Sequence, residues 1–86
     1  MNTREVLSNR FETLKFLYNN SVEGAKEFEE DKKYYYCQVV EKRARLKELR
    51  SIARFLKEDE IKAEITDFMI ETIESYAEAK KGLKQE

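Results

Sequence analysis

Proline is absent from this chain, and glycine occurs only at Gly24 and Gly82. Strand-rich domains need frequent turns, and the residues that build those turns recur at short intervals in their sequences. A chain with so little punctuation is left with helix as its default. Charge points the same way. Charged residues make up 41% of the sequence, against about 25% in an average soluble protein. Apolar residues account for another 41% and include five tyrosines and five phenylalanines. Such a mixture is too apolar for a disordered chain and too charged for a compact globule. It suits long amphipathic helices whose outer faces are wet.

The apolar spacing predicts where those helices run. Leu7, Phe11, Leu14 and Tyr18 line one face of a first helix starting at Thr3 as N-cap, with Phe16 and Leu17 widening the face. Asn19, Asn20 and Ser21 all favour caps and turns, so a break is expected there. From Val22 to Lys57 only Gly24 interrupts the helical pattern, and 36 residues would make a rod of roughly 54 Å. Along it Ala25, Phe28, Lys32, Tyr35, Val39, Lys42, Leu46, Leu49, Ala53 and Leu56 alternate by three and four, the spacing of a heptad seam. A turn at Lys57–Glu60 with Asp59 as N-cap would start a third helix on Ile61, Ile65, Phe68, Thr72, Tyr76, Ala79 and Leu83. Folded back antiparallel, it would match the apolar face of the second.

The expected fold is therefore all-α, with three helices at approximately residues 3–19, 22–57 and 59–83. The long central helix and the third would form an antiparallel helical hairpin of coiled-coil type, and a shorter N-terminal helix would pack at its open end. Residues 1–86 read as a single helical domain, and so short a chain has little stability in reserve as a monomer.

Much chemistry is missing. There is no histidine, and Cys37 is the only cysteine. A Cys–His or Ser–His–Asp nucleophile cannot be assembled within one chain, nor can the usual zinc sites. No phosphate-binding or dinucleotide glycine motif occurs. The expectation is a non-enzyme with no catalytic residue, metal or cofactor. The unpaired cysteine suits a reducing compartment, and no window approaches the roughly 18 apolar residues of a membrane span. The N-terminus lacks a signal-peptide core. The chain thus reads as a cytoplasmic protein, of a cell or of an infected host, with no membrane partner. Cys37 itself reads as a small buried or half-buried hydrophobe.

Three surface features remain. Arg43, Lys47, Arg50, Arg54 and Lys57 follow a four-three-four-three rhythm and form a basic ridge on the second helix. Its functional readings are contact with an acidic partner or with nucleic-acid phosphates; otherwise the assembly neutralises it. Glu60, Glu64, Asp67, Glu71, Glu74 and Glu78 form an equally regular acidic ridge on the third helix. Finally, Tyr34, Tyr35 and Tyr36 are consecutive and fan over roughly 200° of a helix, more than one neighbouring helix covers. Tyrosine is favoured at interfaces because it buries area while keeping a polar end. These three are the candidate protein-interface residues, unless the first and third helices cover them.

The functional expectation is a protein–protein interaction module, a small adaptor, structural or inhibitor protein acting through a helical face and self-associating as a homodimer. The alternative is a small nucleic-acid-binding regulator that uses the basic ridge.

Overall fold

The computed structural model describes residues 2–84. It holds four α-helices: α1 (Thr3–Glu27), α2 (Lys32–Phe55), α3 (Asp59–Glu71) and α4 (Ile73–Lys84), with a 3-10 turn at Glu29–Asp31 leading directly into α2. That turn and α2 together make one rod. α1 and α2 lie antiparallel and form the most extensive helix pair. α3 and α4 follow each other along the groove on one side of this pair, running parallel to α1. The bundle measures 43 × 20 × 16 Å.

Its core is a single cluster of Leu7, Phe11 and Tyr18 from α1, Val39, Leu46, Leu49 and Ala53 from α2, and Ile61, Ile65, Phe68, Met69 and Ala79 from α3 and α4. Spacings of three, four and seven put each set on one helical face. Phe68 sits at the centre, edge-on to Phe11 at 6.1 Å and to Tyr18 at 5.6 Å.

The three-helix hairpin is corrected at the end of its first helix, at both ends of its second and within its third. The first helix begins from Asn2, whose side-chain oxygen accepts from the Glu5 amide at 2.9 Å, and it does not stop at Asn19–Ser21. Ser21 donates its hydroxyl to the Leu17 carbonyl at 2.9 Å, a bond that satisfies a serine inside a helix. Tyr18, Ser21, Gly24 and Ala25 are all buried, so packing carries the helix past residues that favour turns. α1 reaches Glu27 and spans 25 residues, so the long rod of the 3-10 turn and α2 starts at Glu29 and not at Val22.

The chain instead reverses at Phe28, where the backbone leaves the helical region (φ −114°, ψ 82°). Glu29, Glu30 and Asp31 then place negative charge at the start of the next helical turn, where the helix dipole favours it. Gly24 stands in the last turn of α1 because the Tyr35 ring lies where a Cβ would be. Phe28 stacks on that ring at 5.9 Å and closes the corner. Gly82 has the same role: α4 continues through it, and the ring of Tyr36 occupies the space a side chain would need.

α2 ends at Phe55, two residues before the expected Lys57. The Glu58 amide donates to the Ala53 carbonyl at 2.8 Å and the Lys57 amide to Arg54 at 3.1 Å, the paired bonds of a Schellman cap. Lys57 holds the left-handed position of that cap, φ 61°, where glycine is preferred. Lys57→Gly should therefore stabilise the protein by about 0.5–1 kcal/mol. A thermal melt that fell instead would place the lysine side chain in a contact worth more than the relief.

The last correction is at Thr72, which divides the expected third helix into α3 and α4. Its backbone (φ −104°, ψ 16°) leaves the helix, and its hydroxyl donates to the Phe68 carbonyl at 2.7 Å. With α1 packed along the whole of α2, the architecture is a four-helix bundle and not a two-stranded coiled-coil hairpin. Phe28 and Leu56, both in the expected seam, are exposed.

Candidate functional site

Arg43 is the first residue of the basic row, and the fold itself uses it. Its Nη1 donates to the Met69 carbonyl at 2.8 Å, at the break between α3 and α4. Its guanidinium also lies 4.4 Å from the centre of the Tyr76 ring, with the Lys80 ammonium 5.3 Å from the same ring. This fixes the orientation of the row. Residues three and four apart stand above one another on a helix, so Lys47, Arg50 and Arg54 follow Arg43 along the flank of α2 that meets α3 and α4. Arg50 is half-buried, whereas Lys47, Arg54 and Lys57 are exposed. Lys62 on α3 and Lys80 on α4 extend this face.

The acidic row lies on the other flank of α3 and α4, toward α1. Arg4 of α1 pairs with Glu60 and marks that side. Glu64, Asp67, Glu71, Glu74 and Glu78 are all exposed. Among the described residues the Arg4–Glu60 pair is the only ion pair joining two helices; the others are local, such as Lys15–Glu12 and Lys26–Glu23. No residue of the basic row is ion-paired within the described chain. The two rows are thus separated onto two faces of one bundle. The α3–α4 edge between them carries Ile70 and Ile73, 64% and 50% exposed.

The third face is the groove between α1 and α2, which the sequence reading missed. It encloses about 490 Å³, with Val6, Leu14 and Leu17 on one wall and Leu49 and Ile52 on the other. Arg10, Lys42, Arg45 and Glu48 line its polar parts. Glu41 ties two of these cations down, at 2.8 Å from Lys42 and 3.2 Å from Arg45. The Lys42 hydrogen bond and charge, and then Arg45, hold the Glu41 carboxyl below the ordinary carboxylate range. Val6, Leu17 and Ile52 are the available signal in the sequence, because each stands one position off an apolar stripe. Reading them as a groove requires knowing that α1 lies beside α2.

The three tyrosines separate. Tyr35 covers Gly24 and Tyr36 covers Gly82, and both are half-buried. Tyr34 is 60% exposed and meets Tyr35 edge-on at 5.2 Å. Cys37, expected to be buried or half-buried, is an exposed free thiol. Phe55, at the end of α2, is 83% exposed. No helix is long and apolar enough to cross a membrane, and no group of three or more potential metal ligands occurs among the described residues.

Comparison with known proteins found no match for this chain among protein families, curated proteins or solved structures.

Proposed function

We propose that this chain is a non-catalytic protein-interaction module that works through its helical faces and associates with copies of itself. The observation that carries this reading is the unspent charge. An exposed acidic row and a basic row run along one small bundle, and among the described residues a single ion pair bridges two of its helices. Charges left this way contribute little to the fold of a monomer, yet they are suited to steering and orienting a partner. A net charge of −1 means that two copies do not repel one another overall.

The test is the solution mass by size-exclusion chromatography with light scattering at low and high salt. The Debye length falls from about 30 Å at 0.01 M to about 3 Å at 1 M ionic strength, so association through exposed charges should be present in the first buffer and lost in the second. A monomer in both buffers rejects self-association.

A second reading has its own observation in Lys47, Arg54 and Lys57, which are exposed and without an ion-pair partner in the described chain. Nucleic-acid binding through them would give an affinity that falls steeply with salt. Arg54→Glu with Lys47→Glu should abolish it, and the absence of any duplex or single-strand binding at low salt would retire the idea.

A further inference from the structure

We infer that the basic face of one copy docks on the acidic face of the next, so that assembly is head-to-tail and does not stop at a dimer. This rests on the self-association reading above and adds which surfaces meet and how growth proceeds.

Three features of the faces support it. They are complementary in charge and pitch: Lys47, Arg50 and Arg54 repeat at three and four residues on one, as Glu64, Asp67 and Glu71 do on the other. They also share an apolar border. Ile70 and Ile73 stand exposed between the two rows and supply the dry contact that a purely charged interface lacks. Size is adequate as well. The side of the bundle that carries each row is up to 43 Å long and 20 Å wide, so a contact that extends beyond the rows has room for on the order of 800 Å², the usual share of one partner in a stable interface.

The geometry dictates the mode of growth. The two faces are different surfaces of one chain, so joining them is a heterologous contact. Every copy added leaves one basic and one acidic face open at the ends, and the product is a ring or a filament. A self-complementary dimer would need each copy to offer both charges to the same contact. That is available only along the narrow α3–α4 edge, where much of either row would be left unused.

The experiment uses two neutralised variants, both in a Cys37→Ser background so that the exposed thiol forms no disulfide. Lys47→Gln/Arg54→Gln removes charge from the basic face and keeps the acidic one. Glu64→Gln/Asp67→Asn/Glu71→Gln does the reverse. Every substituted residue is exposed and none of their side chains makes an ion pair or hydrogen bond among the described residues, so helix content by circular dichroism should be unchanged. At low salt the parent should sediment as species larger than two protomers that grow with concentration and collapse at high salt. Each variant alone should be a monomer, and an equimolar mixture should form a one-to-one complex that grows no further.

A parent that stops at a discrete dimer would overturn head-to-tail growth while leaving self-association in place. So would a mixture that fails to combine while the parent still associates. Association that survives both neutralised variants but is lost in Leu17→Asp/Ile52→Asp would move the contact to the α1–α2 groove. A parent monomeric at every salt concentration would remove both this inference and the reading beneath it.

Discussion

Replacing Tyr18 with alanine should cost the bundle about 3–5 kcal/mol, the loss seen when a buried aromatic is truncated. Tyr18 is 1% exposed and lies edge-on to Phe68 in the middle of the core. Its hydroxyl also reaches the Thr72 carbonyl at 3.2 Å and the Ser75 hydroxyl at 2.7 Å, and so holds α1 to the α3–α4 break. Domains of this size are stable by roughly 0.05–0.15 kcal/mol per residue, so the alanine variant sits close to unfolding. Tyr18→Phe separates the two contributions. It keeps the ring, removes the hydroxyl and should cost about 1 kcal/mol, a fall of about 4–8 °C in Tm. Urea denaturation at high salt, with association suppressed, reads both variants. A loss below about 1 kcal/mol for alanine would mean that this ring does not hold the core together.

Arg43→Met should cost about 2–3 kcal/mol, an effect expected of no other residue in the basic row. A hydrogen bond from a charged donor contributes about 1.5–3 kcal/mol, and stacking of the guanidinium on Tyr76 adds about 0.5–1 kcal/mol at a partly exposed site. Methionine keeps most of the aliphatic contact, so the loss reports the charged group. Arg43→Lys is the stringent control. An ammonium has no planar fork with which to bond the Met69 carbonyl and lie over the ring together, so lysine should recover less than half of the loss. Amide exchange on α4 should quicken in both variants, because the arginine ties α2 to the start of that helix. If Arg43→Met matched Lys47→Met within error, Arg43 would be one more surface cation.

These two residues show how unevenly the sequence could be read. The apolar repeat through Leu7, Phe11 and Tyr18 and the repeat through Ile61, Ile65 and Phe68 identify core faces, because period and burial are both local properties of a helix. The charged rows were legible for the same reason. The breaks were not. Asn19, Asn20 and Ser21 have the composition of a turn, yet Ser21 bonds Leu17 within the helix because its neighbours are buried against other elements. Thr72 has the composition of an ordinary helical residue, yet the helix breaks there, where Tyr18 and Arg43 bond its own carbonyl and that of Met69 from two other helices. Gly24 reads from the sequence as an interruption of the second helix, yet it lies in the last turn of α1, where the Tyr35 ring occupies the space of its missing side chain.

The sequence by itself determined that this protein is helical, which face of each helix is apolar, and that its charges lie in ordered rows. Each of these follows from residue type and a period of 3.6, quantities that one strand of chain carries alone. Only the tertiary structure decided how many helices there are, where they end, and which charged row faces which neighbour. Those outcomes depend on buried contacts between residues such as Tyr18 and Phe68, far apart in the chain, whose energies outweigh local preferences of a few tenths of a kcal/mol per residue.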